Sequence, residues 1–453
     1  MPAATPAYDG LPVAVTGGGV SGAAAARVLR DLGARVTVVD GSAEAREGLA
    51  EKGFTTSTNL PDELGLVVTS PGWRPTSPLL VEAAARGVEV IGEVELAWRL
   101  RPASAAPWLA LTGTNGKTTT VKMLEAVLQA AGHRVVAAGN VGLPLLEAVL
   151  DSDPYDVLAV ELSSFQLHWS STVRPHTGAV LNVADDHTDW HGDFQAYALD
   201  KAKVLDADTS VANADDEVSR TLLNRARGRR VAFTLRVPRP GDVGLVEHLL
   251  VDRAFPAVPG EGTELASLAD LTVTGAHNVA NALAAATMAR SFGVPATAVR
   301  DGLRVFAPEP HRNALVRDLD GVAWVDDSKA TNPHAAAASL AAYDSVVWVA
   351  GGLLKGADVD DLVRAAAPGL RAAVLLGTDR SPLRDALSRH APDVPVVEVE
   401  RLDTGAMHEV VTAARSLARP GDTVLLAPAA ASMDCFRDYA ERGRLFAQEV
   451  AAL

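Results

Sequence analysis

One cysteine, Cys435, stands in 453 residues, so the chain has no intramolecular disulfide and no cysteine-built zinc site, and it suits a reducing compartment. Residues Met1 to Gly10 lack both a basic start and an apolar core, which excludes a signal peptide there. No uninterrupted apolar run is long enough to cross a bilayer, so no membrane insertion is expected. Positive charge is also in deficit. A net charge of −15 argues against nucleic acid as the main partner, and any anionic ligand needs local lysines, arginines, metal ions or helix N-termini. With 48% apolar residues the chain is globular material, and its length predicts about three domains in a cytoplasmic protein.

The chemistry gathers around Trp108 to Thr120, WLALTGTNGKTTT. An apolar strand leads into a Gly-rich turn, and helical spacing follows at Val121, Leu124, Val127 and Leu128. That order makes a phosphate cradle: backbone N–H groups and a helix N-terminus face the anion, Lys117 adds a charge, and Thr118 offers a hydroxyl to Mg²⁺. The standard pattern wants glycine at 111, where Leu111 stands, so the loop is a shorter Gly113-x-x-Gly116-Lys117-Thr118 version.

Upstream, the strand Leu11 to Thr16 runs into Gly17-Gly18-Gly19-Val20-Ser21-Gly22, an Ala-rich helix, a second strand from Val36 to Val39, and Asp40. This is the dinucleotide fingerprint of a Rossmann unit, which alone points to NAD but leaves the nucleotide open. Further strands are predicted at Leu66 to Val68 and Val88 to Ile91, and residues 101–107 read as a linker. Beyond the phosphate loop come strands from Val135 to Ala138, Asp156 to Val160 and Gly178 to Val183. They deliver Asn140, Glu161 and Asp185-Asp186-His187 at their carboxyl ends, where parallel α/β sheets bind ligands, so Lys117, Glu161 and His187 should converge. Glu161 reads as a metal-binding acid beside the nucleotide rather than a solvated loop carboxylate. For His187 both a ligand and a structural role stay open. The stretch Tyr197 to Leu205 reads as helical, and nothing physical distinguishes Lys201 from Lys203. Residues 231–271 read as a loose edge elaboration. Asn278 opens an Ala-rich helix and can bond a base or cap the helix. Pro308 and Pro310 mark a hinge, after which strands at Val322 to Val325, Ser345 to Val349, Ala373 to Leu376, Val394 to Val399 and Thr423 to Leu426 alternate with helices in a doubly wound style. The expected fold class is α/β in three domains: a Rossmann-like N-terminal domain (1–101), a central P-loop ATPase-like parallel-sheet domain (102–307) and a Rossmann-like C-terminal domain (308–453).

TGTNGKTT, Glu161-Leu-Ser-Ser-Phe-Gln166, Asn182-Val-x-x-Asp-His187, His277-Asn278, His311-Arg312 and Asp327-Ser-Lys-Ala-Thr-Asn332 occur in one order along the chain. In this the sequence resembles the Mur ligase family, whose own version of the phosphate loop also lacks the glycine. The Gly-rich start and the DSKATN run look like the members that add D-glutamate to UDP-N-acetylmuramoyl-L-alanine in peptidoglycan precursor synthesis. Folylpolyglutamate synthases share the last two domains, but roughly a hundred residues precede the loop here, enough for a further small domain.

The resemblance implies roles. Gly113, Thr114, Asn115, Gly116, Lys117, Thr118 and Thr119 would hold the ATP phosphates, with Thr118 and Glu161 on one of two Mg²⁺ ions. His187 and a carbamate on Lys201 would serve the second; Lys203 does not match. Asn278, Arg312 and Asp327 would contact the nucleotide, and Asn140, Ser163 and Gln166 the muramoyl-alanine end. Lys329, Thr331, Lys355, Ser432 and Tyr439 would hold D-glutamate, while Val20, Ser21 and Asp40 would meet the uridine diphosphate. The implied catalytic set is Lys117, Glu161, His187, Lys201 and Lys329, in a monomer whose third domain closes over the second. Two other classes remain: a nicotinamide-dependent dehydrogenase, which leaves the phosphate loop unexplained, and a nucleotide sensor without turnover.

Overall fold

The computed structural model describes residues 8–102, 104–256, 258, 260–273, 275–308 and 310–453. Residues 1–7 of the chain start, Ala103 of the linker and Glu309 of the hinge lie outside them. Contacts divide the chain into two compact units, residues 1–272 with 279–306 and residues 273–278 with 307–453. Among the described residues no helix is long and apolar enough to cross a membrane.

The first unit holds two sheets. Strands β1 (Pro12–Thr16), β2 (Arg35–Val39), β3 (Thr55–Ser57), β4 (Leu66–Thr69) and β5 (Glu89–Gly92) form a parallel sheet in the order β3-β2-β1-β4-β5. Val13, Ala14 and Val15 are buried on both faces, as apolar runs in parallel sheets must be. The short polar edge strand β3 was not predicted, because Thr-Thr-Ser carries no apolar signal. The glycine turn after β1 is required by close approach: a Cβ on Gly22 would sit 1.8 Å from the Gly17 carbonyl oxygen. That contact lets the helix Val20–Asp31 lie down on the sheet.

The second sheet comprises β6 (Trp108–Thr112), β7 (Val135–Gly139), β8 (Val157–Glu161), β9 (Thr177–Val180), β10 (Thr209–Asn213), β11 (Arg229–Thr234), β12 (Val243–Val246), β13 (Leu249–Asp252) and β14 (Thr263–Ser267), in the order β14-β13-β12-β11-β10-β9-β6-β8-β7. Strands β6 to β12 run parallel, and β13 and β14 add an antiparallel edge. The region from 231 is thus more regular than the sequence implied, since β11 continues the parallel sheet before the edge hairpin begins. One buried cluster includes Val13 and Leu29 of the first sheet layer together with Trp108, Leu146 and Leu158 of the second. Glu95, in the helix Glu93–Leu100, accepts from the backbone of Ser171 and Thr172 (2.8 and 3.0 Å), and Glu93 accepts from Leu146 N (3.0 Å).

The second unit has a sheet of β15 (Ala314–Leu319), β16 (Val322–Asp326), β17 (Val346–Gly351), β18 (Leu370–Leu376), β19 (Val396–Glu398) and β20 (Thr423–Leu426), ordered β15-β16-β20-β17-β18-β19. All pairs are parallel except β15–β16, a hairpin turned by Asp320 and Gly321 with φ of 55° and 75°. Strand β15 was not predicted either; the Asp-Gly pair was the available signal.

Candidate active site

Leu111 lies inside β6 and is fully buried, so a glycine there has no use; the turn begins only at Gly113. Gly116 takes φ of 80° at the N-cap of the helix Lys117–Ala130, and a Cβ there would lie 2.4 Å from Asn281 Oδ1. Asn182 shapes the loop from the side: Asn115 N donates to its Oδ1 (2.8 Å), and its Nδ2 donates to Asn115 O (3.0 Å). Thr114 Oγ1 bonds to Ala184 N (3.0 Å) and to Tyr197 OH (2.9 Å). The Lys117 ammonium donates to the carbonyls of Gly113 and Thr114, both at 2.9 Å. Thr118 is buried and Thr119 half-buried in the first helical turn.

Lys201 reaches the same loop from the helix Phe194–Ala202 and donates to Gly113 O at 2.8 Å. It is 2% exposed. Burial, then the Lys117 charge, drives its amine well below the usual lysine range. Its Nζ lies 4.6 Å from the Tyr197 ring centroid, and the His187 ring is 6.5 Å from the same ring. His187 has left-handed φ of 55° at the start of the helix Thr188–His191 and sits 3.5 Å from Asp186 Oδ2. Glu161 is the last residue of β8, which ends one residue later than predicted, and is buried. Its Oε1 accepts from Asn140 Nδ2 (2.8 Å), while Oε2 has no hydrogen-bond partner among the described residues. A buried carboxylate oxygen with no partner fits a cation. Asn140 thus orients Glu161. Ser163 and Gln166 form a capping box on the helix Ser164–His168.

Lys203 differs sharply from Lys201. It bonds to Leu167 O and His168 O (3.0 and 2.8 Å) and pairs with Asp200 (2.9 Å). His168 and His191 also donate to Asp200, at 2.8 and 3.0 Å. Burial works to raise the Asp200 carboxyl, but these three donors hold it well below the usual range. His168, His191 and Asp200 present ligand atoms within 4.8 Å of one another, yet the Lys203 ammonium already neutralises the carboxylate. This cluster clamps the helix carrying Lys201.

In the first sheet, Asp40 accepts from Gly18 N (2.7 Å) and Ser42 N (2.8 Å), so its carboxylate fixes the glycine turn. Val20 is exposed and Ser21 half-buried, at a helix start that no side chain caps.

In the second unit, Asp327 accepts from Asn313 N (3.2 Å) and from the Ser339 hydroxyl, and burial pushes its carboxyl up to about 6. Asn278 is buried and Arg312 half-buried. The Lys329 ammonium lies 3.8 Å from the Tyr439 ring centroid. Thr331 N bonds to Lys329 O (2.8 Å); Lys355 is exposed with φ of 54°, and Ser432 is buried.

Known proteins match this layout. The Mur ligase middle domain matches residues 111–289, and the Mur ligase glutamate ligase domain matches 311–430. A protein of Thermobifida fusca named UDP-N-acetylmuramoylalanine--D-glutamate ligase is 62% identical, covering 98% of this chain and 99% of its own. One of the same name from Streptomyces coelicolor is 56% identical with the same coverage. The chain belongs to the Mur ligase family. Its fold is also that of the Thermotoga maritima UDP-N-acetylmuramate-alanine ligase, with a TM-score of 0.59 at 19% identity over 98% of this chain and 99% of that one. Residues 5–92 match the C-terminal domain of alanine dehydrogenase/PNT, in keeping with the Rossmann-like first sheet.

The segment that matches the Mur ligase middle domain holds Lys117, Glu161, His187 and Lys201. It also holds Asn182, Tyr197 and Asp200, to which sequence reasoning gave no role. Asn182 was visible in the Asn-Val-x-x-Asp-His motif; Asp200 carried no signal, because its two histidine partners are 9 and 32 residues away and its pair with Lys203 looks like an ordinary helix-surface pair.

Proposed function

We propose that this chain is an ATP-dependent amide-bond ligase of the Mur family. It joins D-glutamate to UDP-N-acetylmuramoyl-L-alanine in peptidoglycan precursor synthesis, giving ADP and phosphate. The observation that carries this reading is the 62% identity, over nearly the whole of both chains, to a relative of that name. The site geometry supports the chemistry. A carboxylate is a poor electrophile, so ATP first converts it to an acyl phosphate; the D-glutamate amine then attacks the acyl carbon, and phosphate leaves. Phosphates and carboxylates crowd one place, and counter-charge must be fixed before they arrive.

In this reading Lys117 exchanges its loop carbonyls for phosphate oxygens, and the N–H groups of Gly113 to Thr119 line the cradle. Thr118 and Glu161 would hold one Mg²⁺, and His187 with a carbamate on Lys201 a second. Mg²⁺ takes oxygen ligands and supplies counter-charge to phosphate. Only a neutral amine takes up carbon dioxide, forming an N–C bond and releasing a proton to solvent, and the depressed basicity of Lys201 favours that form. Asn140 orients Glu161, while Ser163 and Gln166 shape the end that meets muramoyl-alanine. Val20, Ser21 and the Asp40-braced turn take the uridine diphosphate. In the second unit, Asn278, Arg312 and Asp327 serve the nucleotide, and Lys329, Thr331, Lys355, Ser432 and Tyr439 serve D-glutamate. Segments 1–101, 102–307 and 308–453 are the corresponding functional domains of a monomeric cytoplasmic enzyme.

Phosphate release from ATP with Mg²⁺ should require both UDP-N-acetylmuramoyl-L-alanine and D-glutamate. Turnover with L-lysine or diaminopimelate in place of D-glutamate overturns the specificity. UDP should bind the first domain and NAD should not.

A further inference from the structure

Arg442 is completely buried in the second unit, on the helix Tyr439–Ala451. Every described hydrogen bond it makes goes to a neutral oxygen. Nε donates to Ser328 Oγ (2.9 Å), Nη2 to Ser328 O (2.8 Å), and Nη1 to Ala430 O (3.2 Å) and Gly351 O (3.5 Å). Burial lowers its basicity to about 10, which still leaves it charged at neutral pH. A buried guanidinium bonded only to neutral oxygens is costly, and an apolar residue of similar length would dock the helix beside Phe446 and Val450 more cheaply.

The three acceptor residues explain what the charge does. Ser328 follows β16, Gly351 ends β17 and Ala430 follows β20, and these strands are neighbours in the order β16-β20-β17. Lys329 and Thr331 lie one and three positions past Ser328, Lys355 four past Gly351, and Ser432 two past Ala430. The loops also carry strain at two non-glycine positions, where Lys355 and Ala429 have left-handed φ of 54° and 60°. Such backbone persists only where its surroundings over-determine it. Ser328 Oγ donates in turn to Tyr439 O (2.7 Å), tying the first helical turn to the same loop.

We propose that Arg442 is a positioning residue for the amino-acid substrate: its planar fork sets the mutual register of the three strand-end loops that carry Lys329, Thr331, Lys355 and Ser432. This rests on assigning those four residues to D-glutamate. A lysine in its place keeps the charge but cannot bond all three loops from one plane.

Phosphate-release kinetics on the purified full chain test it, varying D-glutamate and UDP-N-acetylmuramoyl-L-alanine in turn. Arg442→Lys should raise the KM for D-glutamate by about tenfold or more, with the KM for the UDP substrate within about twofold of wild type. A role confined to stability lowers the active fraction, and so kcat, leaving both KM values alone; that result overturns the proposal, as does an equal rise in both. Where Arg442→Lys does not fold, Ser328→Ala carries the test. It removes one acceptor and should raise the KM for D-glutamate about threefold, and an unchanged KM overturns the idea. Wild-type protein without D-glutamate-dependent turnover would instead refute the proposed function.

Discussion

Two lysines two residues apart show how much a single position depends on its surroundings. Lys201 and Lys203 share a helical stretch, and sequence pattern alone gives neither a role. Folding sends Lys201 onto Gly113 O beneath the loop and Lys203 onto Asp200 at a partly exposed edge. Lys201→Ala should abolish turnover in a phosphate-release assay, with partial recovery on adding a small carboxylate such as acetate. Retained activity would sink the carbamate. Lys203→Ala should keep turnover and lose about 0.5–1 kcal/mol by thermal unfolding, because its pair with Asp200 is 40% exposed on the lysine side. Contiguous motifs single out Lys117 and Glu161 from the residues alone, and leave His187 with two open roles. Asp200, Tyr197 and Arg442 were not legible, since His168, Thr114 and Ser328, which they bond to, are brought in by the fold from distant segments.

At the scale of elements, apolar strands between Gly-rich turns were readable because parallel sheets bury both faces, as Val13 to Val15 and Val346 to Ala350 do. Of the unread strands, β3 and β15 are polar or half-exposed edges, where burial leaves no period in the sequence, whereas β10 lies buried inside the second sheet and was hidden by its short, half-polar Thr-Ser-Val-Ala-Asn run. The glycines of the first turn were read as a nucleotide fingerprint, and at least one has a packing reason as well. Gly22→Ala would press a methyl group into the Gly17 carbonyl and lift the helix Val20–Asp31. A loss of about 2–3 kcal/mol is expected, together with weaker UDP binding. Thermal unfolding and a UDP titration check both, and a melting point equal to wild type would contradict the contact.

Across the molecule, Glu93 joins the two sheets of the first unit by accepting from Leu146 N at 3.0 Å. Burial pushes its carboxyl up to about 7 from the usual 4.5, so the folded chain keeps a proton that the unfolded chain releases. The stability this contributes is complete below pH 4.5 and is lost as pH rises through about 7. Glu93→Gln should therefore flatten that part of the stability profile and stabilise the protein at pH 8 by about 1–3 kcal/mol. Denaturant unfolding of both proteins across that range decides it. The linker at residues 101–107 separates two sheets in the chain, but it does not separate them in energy. Trp98 packs edge-on against Trp108 with centroids 5.0 Å apart, on either side of that linker, and one apolar cluster runs through both layers. The first sheet is therefore not a detachable module. Hydrogen exchange should show β1 and β6 opening with the same free energy. A chain cut to begin at the phosphate loop would bare Trp108, Leu145 and Leu146 to water and aggregate.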